Sequence, residues 1–485
     1  MNDDHIPILK VSLTGPGASL VGQGTFGKVY SVDETTVYKK IKIIAENEDE
    51  FSIIENNIRE LSFYKLIMDK STESFTKDPG SFTSSVILPD LPSVIPIPSK
   101  ITFIEPYTYI HMKYYGIPLH SIHYTTSDTF KHIFKQIING VYALYKSNMS
   151  HGDLKPSNIL VDKYNNVKII DYGSVCFYHS KYLKNPYQRC TIFYVSPEEL
   201  IFEKHSITND WWSLGVIMYE FCTRKCFIST LFEYLKINKT NTEIFLDYAY
   251  TRNTDLFDKA KDFIVTFYST IKTANINNFI IHTIKDKEIQ LYLIYLLRVD
   301  PDERNIQEIV KLFDCNVPKT KEVKVMKSLI PYSDLDLLNL SLKHRAECIE
   351  TIFSVAYQIK EFGEEIIGHS LMLFDRFIIR TKGEIDDPKL YAIISMFISS
   401  SIMKGELIKG TYIKKILQIK YNKEYFLEDI RMAILVFMEY LDFKLFNFSP
   451  DILYNFTKSY ERLLELSIKY PFINDNAYKI FKLLK

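Results

Sequence analysis

The sequence lacks the long apolar runs that would anchor it in a membrane. The longest candidate, Ile393–Met403, falls well short of the roughly 18 residues that a spanning helix needs, and serines interrupt it. The chain begins with Met-Asn-Asp-Asp, which is polar and acidic and unlike a signal peptide. We therefore expect no membrane segment and no secretion signal.

An excess of either charge is also missing, and cysteine is scarce. Lysine plus arginine number 59 and so do aspartate plus glutamate, so net charge favours neither nucleic acid nor a membrane surface as a partner. The six cysteines are scattered, and none forms Cys-x-x-Cys. This predicts free thiols in a reducing compartment, the cytoplasm or nucleus.

The length of 485 residues is enough for two or more domains. From about residue 342 to 485, apolar residues recur at helical spacing and predict an all-helical region. Residues 316–341 are polar and basic at their start and are predicted to be a linker. A polar stretch from Asp69 to Ser99 is predicted to be an irregular insertion.

Three short motifs follow one another in the first part of the chain. His-Gly-Asp-Leu-Lys-Pro-Ser-Asn runs from His151 to Asn158, Asp-Tyr-Gly begins at Asp171, and Ser-Pro-Glu begins at Ser196. In this order and at this spacing they resemble the catalytic motifs of protein kinases. The resemblance implies a two-lobed α+β fold over residues 9–315, with a small lobe at about 9–115 and a large lobe at about 116–315.

The same resemblance implies a nucleotide site in the small lobe. A glycine-rich loop, Gly22-Gln-Gly-Thr-Phe-Gly-Lys-Val29, allows close approach of backbone to phosphate, although alone it equally fits a surface turn. Lys39, with Lys40 as the alternative, would pair with Glu60 to orient the phosphates. The implied ATP-binding residues are Gly22, Gly24, Phe26, Gly27, Val29, Lys39, Glu60, Met112 as gatekeeper and Tyr115 in the hinge.

The large-lobe motifs imply the chemistry. Asp153 would be the catalytic base, Lys155 would neutralise γ-phosphate charge, and Asn158 with Asp171 would hold two magnesium ions. Lys155 together with Thr191 resembles serine/threonine kinases rather than tyrosine kinases. The implied structural residues are Thr191, Asp210, which braces the catalytic loop, and the buried ion pair of Glu198 with Arg304.

Several positions depart from the family pattern. Gly152 stands where most kinases have an arginine that receives an activating phosphate, and Pro186 stands where cyclin-dependent kinases carry the phosphorylated threonine. Because the threonine that accepts the activating phosphate and the arginine that binds it are both missing, we expect an enzyme that needs no activating phosphate. Tyr172 replaces the usual phenylalanine, and Val195 replaces an arginine, which leaves a preference for Ser/Thr-Pro sites in doubt.

The helical part resembles a cyclin box over about residues 342–455. Arg345 and Asp375 fit the family's structural pair, and the helix around Arg59 and Glu60 resembles the cyclin-binding helix of cyclin-dependent kinases. Arg59 and Glu439 would then lie at the interface. The partner lysine of cyclins falls near Ser401, with Lys404 as the nearest substitute. A generic helical bundle is the alternative.

Together these features predict a cyclin-dependent-like serine/threonine kinase fused to its own cyclin-like domain, using ATP and Mg²⁺ on a protein substrate. A linker of about 25 residues reaches up to roughly 80 Å, so this domain can dock within the chain or onto a second copy. The alternatives are a pseudokinase scaffold and a kinase with a docking domain unrelated to cyclins.

Overall fold

A computed structural model describes most of the chain between residues 19 and 445. The described residues are 19–24, 27–33, 35–42, 51–68, 82–89, 92–104, 107–123, 126–177, 182–184, 191–202, 204–251, 254–315, 320–327, 342–358, 364–381, 383–403, 410–441 and 445.

Most strands lie in the first part of the described chain, and helices dominate its later part. The strands are β1 (Ser19–Gly24), β2 (Gly27–Ser31), β3 (Thr36–Lys42), β4 (Phe82–Pro89), β5 (Lys100–Ile104), β6 (Tyr107–Lys113), β7 (Ile117–Pro118), β8 (Met149–Ser150), β9 (Ile159–Val161), β10 (Val167–Ile169), β11 (Cys176–Phe177), β12 (Tyr182–Lys184), β13 (Lys204–Ser206) and β14 (Thr320–Lys327). The helices are α1 (Phe51–Met68), α2 (Ser127–Lys146), α3 (Pro197–Phe202), α4 (Asn209–Thr223), α5 (Phe227–Tyr234), α6 (Lys239–Thr251), α7 (Phe257–Thr270), α8 (Thr273–Thr283), α9 (Lys287–Leu296), α10 (Ile306–Leu312), α11 (Leu342–Gln358), α12 (Glu364–Arg380), α13 (Pro388–Met403), α14 (Gly410–Tyr421) and α15 (Leu427–Tyr440).

The small lobe is built on an antiparallel sheet with strand order β1-β2-β3-β6-β5. Side chains of a strand alternate between the two faces, so Lys39 and Lys40 of β3 point in opposite directions. Lys39 faces α1, where it meets Glu60. Lys40 lies on the outer face, with Nζ 3.8 Å from the ring centroid of Tyr107.

A segment predicted to be an irregular insertion and one predicted to be a linker form a strand pair. β4 comes from the predicted insertion and β14 from the predicted linker, and they pair antiparallel from Thr320 opposite Pro89 to Lys327 opposite Phe82. The alternation of Val323 and Val325 with charged residues suits a strand. The pairing was missed because it joins segments more than 200 residues apart.

The large lobe packs its helices around α4. Trp211 and Trp212 of this helix are completely buried, and most other residues of α4 are buried too. A helix that is covered on all sides in this way lies at the centre of a domain. It carries the catalytic-loop brace, Asp210, in its first turn.

Five helices, α11 to α15, form the C-terminal part of the described chain, and α13 packs against α11, α12 and α15. Buried serines of α13 satisfy their hydroxyls locally, since Ser400 and Ser401 both donate to the carbonyl of Phe397 at 3.0 Å. The α+β class, with a sheet-rich first lobe and a helical remainder, is confirmed. Every helix in the described ranges is too short or too polar to cross a bilayer.

Candidate active site and its contact with the C-terminal helices

Lys39 stands at the centre of a buried charge cluster between the lobes. Its Nζ lies 2.6 Å from Glu60 Oε2 on α1 and 3.0 Å from Asp171 Oδ1. Burial alone would lower the pKa of Lys39, but the charges of Asp171 and Glu60 raise it above its usual value. Burial raises the pKa of Glu60, and Lys39 opposes that change. The lysine is therefore held charged where a polyanion would need it.

Asp171, the second partner of this lysine, has an unusual backbone conformation. It has φ of 69° and ψ of 70°, the left-handed region, just before the turn Tyr172–Ser174. Burial would raise the pKa of Asp171, but the charge and hydrogen bond of Lys39 hold it below its usual value. The carboxylate is thus ionised and ready to ligate a cation.

The catalytic-loop motif places a carboxylate, an ammonium and a hydroxyl in mutual contact. Lys155 Nζ lies 2.5 Å from Asp153 Oδ2 and 2.9 Å from Thr191 Oγ1. Thr191 donates to Asp153 Oδ1 from both its backbone N, at 3.1 Å, and its hydroxyl, at 3.0 Å. Both oxygens of Asp153 accept hydrogen bonds, which fixes the orientation of this carboxylate. A hydroxyl brought beside it would find an oriented proton acceptor.

Asn158 and Asp171 fit a hard divalent cation. Asn158 is buried, and its Nδ2 donates to the Asp153 carbonyl at 2.8 Å. The amide oxygen of Asn158 is then the atom available for ligation, and amide and carboxylate oxygens are the ligands that Mg²⁺ takes from proteins.

The glycine-rich strands fit a nucleotide. A Cβ added at Gly22 would meet nothing within 4 Å, whereas at Gly27 it would lie 2.8 Å from the Lys40 carbonyl. The first glycine therefore borders open space, and the second allows close packing of β2 on β3. Val29 lies directly opposite Lys39 across the β2–β3 pair, so both side chains share one face. Met112 is buried and Tyr115 half-buried near the end of β6.

Asp210 braces the catalytic loop through its backbone. The amides of His151 and Gly152 donate to its two carboxylate oxygens at 2.6 and 3.1 Å. Gly152 adopts φ of +79°, and a Cβ there would lie 2.2 Å from the Ser174 carbonyl oxygen. In this backbone, glycine at position 152 is a steric requirement.

An aromatic stack joins the loop after Asp171 to α1. The Tyr172 ring stacks on Phe63 with centroids 4.1 Å apart, meets Tyr64 edge-on at 5.8 Å and lies 5.0 Å from His151. Its hydroxyl donates to the Ile169 carbonyl at 3.1 Å. The tyrosine therefore keeps the packing of a phenylalanine and adds one satisfied hydrogen bond.

A second buried ion pair lies deeper in the large lobe. Arg304 makes a two-pronged contact with Glu198, with both N–O distances 2.6 Å and both side chains buried. Arg304 also donates to the Thr208 carbonyl at 3.1 Å. The pair links Glu198, which follows Ser-Pro, to Arg304 near the end of the large lobe. Each buried charge therefore has a partner of opposite charge.

Arg59 connects α1 with the C-terminal helices. Its side chain is completely buried. Nη1 donates to the Gly173 carbonyl at 3.3 Å, and Nη2 donates to the carbonyl of Ser401 on α13. α13 packs against α1 and against β11. One guanidinium thus joins the helix that carries Glu60, the turn that follows Asp171 and a helix that is more than 300 residues away.

Other residues predicted to be functional lie on the C-terminal helices or outside the described part. Asp375 is buried in α12, and Glu439 is exposed near the end of α15. The predicted residues outside the described part are Phe26, Pro186 and Lys404. The side chain of Arg345 and the side chains next to Gly24 also lie outside it. The roles predicted for them remain predictions.

Sequence reasoning did not single out Phe63 and Tyr64. They lie three and four residues after Glu60, on the same side of α1, so helical spacing was an available signal. The contact of Arg59 with Ser401 was not available in the same way, because its acceptor is a backbone carbonyl that every residue possesses.

Comparison with known proteins agrees with the geometry. Residues 17–311, more than half of the chain, match the family model described as protein kinase domain. The chain therefore belongs to the protein kinase family.

Two relatives are similar to this chain to nearly the same degree but over different shares of their length. A probable cell division protein kinase of Encephalitozoon cuniculi is 30% identical over 208 residues, which are 42% of this chain and 70% of the relative. Developmentally-regulated protein kinase 1 of Dictyostelium discoideum is 32% identical over 158 residues, which are 32% of this chain and only 21% of the relative.

Proposed function

We propose that this chain is a serine/threonine protein kinase that transfers the γ-phosphate of ATP to protein hydroxyls and is held active by its own cyclin-like helices. The observation that carries the proposal is the bridge made by Arg59, which donates to carbonyls of both Gly173 and Ser401. The bridge lies one residue from Glu60, which is already paired with Lys39.

The proposed chemistry assigns one task to each group in the cluster. Asp153 accepts the proton of the substrate hydroxyl, and Lys155 offsets negative charge beside it. Lys39, fixed by Glu60, orients the phosphates of the nucleotide. Asn158 and Asp171 hold Mg²⁺, which supplies charge compensation for the phosphates when it is bound.

Preference for serine and threonine is supported by the contact of Lys155 with both Asp153 and Thr191. These contacts bring together Lys155 and Thr191, the two residues whose combination resembles serine/threonine kinases rather than tyrosine kinases.

The cyclin-like role is supported by five successive helices, α11 to α15, of which α13 packs on α1. The lysine that cyclins bring to this contact has no counterpart at Ser401. Arg59 offers an alternative, because the kinase lobe supplies the cation and the helical region supplies the carbonyl. A charged donor makes a stronger hydrogen bond than a neutral one, which suits a contact that must hold α1 in place.

The chemistry is tested with purified Asp153→Asn and a matched Asp262→Asn control. Asp262 is exposed on α7, so its change removes one carboxylate without touching the cluster. We expect Asp153→Asn to lower phosphorylation of a serine peptide by about 100-fold or more, while the control keeps wild-type turnover. Near-normal turnover by Asp153→Asn, or no turnover by the wild type with ATP and Mg²⁺, would favour a scaffold without catalysis.

A further inference from the structure

A cavity of about 550 Å³ opens beside Lys155 and Thr191, the two residues that contact the Asp153 carboxylate. This volume is within the usual range for a ligand site and accommodates one or two side chains of a peptide. Its lining includes Leu119, Glu220, Phe221, Arg224, Lys225 and Tyr250.

The carboxylate in this lining is already occupied. Glu220 accepts a hydrogen bond from the Tyr194 hydroxyl at 2.8 Å and another from the Phe227 amide at 3.1 Å. Burial raises the pKa of Glu220 above its usual value. Both carboxylate oxygens of Glu220 are therefore engaged by groups of the protein itself.

Two exposed cationic side chains, Arg224 and Lys225, line the cavity, and the exposed His120 lines it too. Arg224 is oriented, because it adopts φ of +60° at the end of α4 and its Nη1 donates to the Ile122 carbonyl at 2.9 Å. Among the lining residues, all of which the structure describes, Glu220 is the single acid against Lys155, Arg224 and Lys225.

The remaining surface is apolar. The lining residues Leu119 and Phe221 are buried, and the ring centroids of Phe193 and the exposed Tyr250 lie 5.1 Å apart. An occupant must therefore combine an apolar contact with negative charge at its edge.

We infer that this cavity binds the acidic flank of the protein substrate, so that carboxylates close to the accepting serine or threonine meet Arg224 and Lys225. The inference rests on the proposed function and adds a substrate class to it. Since neighbouring residues in an extended peptide are about 3.3 Å apart, a hydroxyl at Asp153 brings residues one to four positions away to the cavity.

The test is a positional scan with the full-length protein. Serine peptides carry Glu, Gln or Lys at one position at a time, from four residues before the serine to four after it, and kcat/KM is measured for each. We expect a Glu-to-Lys ratio of about tenfold at one or two positions, because two exposed cations contribute. The ratio should shrink at high salt, which screens exposed charges.

The double variant Arg224→Glu with Lys225→Glu should bring the ratio to about one or reverse it. The matched control is Lys259→Glu, an exposed lysine of α7 away from the cavity, and it should keep the wild-type ratio. Equal kcat/KM for Glu and Lys peptides at every position would overturn the inference, as would a ratio unchanged in the double variant.

Failure of the inference is distinguishable from failure of the proposed function. If the peptides are phosphorylated without charge preference, only the acidic-substrate inference fails. If none is phosphorylated, the kinase proposal fails, and fluorescence anisotropy with labelled Glu and Lys peptides still decides the inference. Tighter binding of the Glu peptide that the double variant abolishes would support it, and equal binding would refute it.

Discussion

Replacing Arg59 by methionine removes the bridge between α1, the turn after Asp171 and α13 while keeping much of the side-chain volume. Hydrogen bonds from a charged donor contribute about 1.5–3 kcal/mol each, and Arg59 makes two to backbone carbonyls. Relief from burying the guanidinium offsets part of this loss. We expect a net cost to the docked arrangement of about 2 kcal/mol, which corresponds to a population change of about 30-fold.

The assay compares peptide phosphorylation by Arg59→Met, the wild type and Arg431→Met. Arg431 is a half-buried arginine that pairs with Glu428 at 2.9 Å within α15, and because Glu428 is mostly exposed, loss of this pair should change little. We expect kcat/KM to fall by about 10- to 30-fold for Arg59→Met, with the thermal shift on ATP binding retained. Activity within twofold of the Arg431→Met control would refute the claim that this contact holds Glu60 against Lys39.

Three further predictions concern the loop around Asp171. Gly152→Ala should lower the free energy of unfolding by at least about 2 kcal/mol in urea titration, because it combines a positive φ with a Cβ 2.2 Å from the Ser174 carbonyl; an unchanged midpoint would contradict this. Tyr172→Phe should cost about 1 kcal/mol, the value of its hydrogen bond to Ile169, and keep kcat within about threefold; a tenfold loss of kcat would mean that the hydroxyl positions the loop. Phosphatase treatment of protein made in bacteria should leave activity unchanged, since Gly152 has no side chain that could bind an activating phosphate. Loss of activity that a separate kinase restores would show that another residue has taken over regulation.

The active-site cluster was predictable because most of its residues lie in short local motifs. Asp153, Lys155 and Asn158 lie within six residues of one another, so their spacing alone brings them together. Lys39 was chosen over Lys40 because it matches the family pattern best and because strand alternation aims Lys40 at the other face, and the structure puts the two lysines on opposite faces.

Contacts made by backbone atoms could not be predicted in this way. The Ser401 carbonyl accepts a hydrogen bond from Arg59, and because every residue has a backbone carbonyl, the identity of residue 401 does not indicate this contact. The steric need for glycine at position 152 is evident only from the position of the Ser174 carbonyl in the fold. The β4–β14 pair depends on two segments meeting across the fold, which a periodicity of two residues does not specify.

That strand pair changes how the two parts of the molecule are tethered. Because β14 is fixed along β4, residues 328–341 are what remains between the last paired strand and α11, and about 14 residues span at most roughly 50 Å. The C-terminal helices are thereby confined near the lobe on which they dock, at a local concentration that dilution of the protein does not alter. Under the proposed function, specific activity would be the same at low and high enzyme concentration, and the cell would adjust this activity through the amount of the whole chain rather than the supply of a separate subunit.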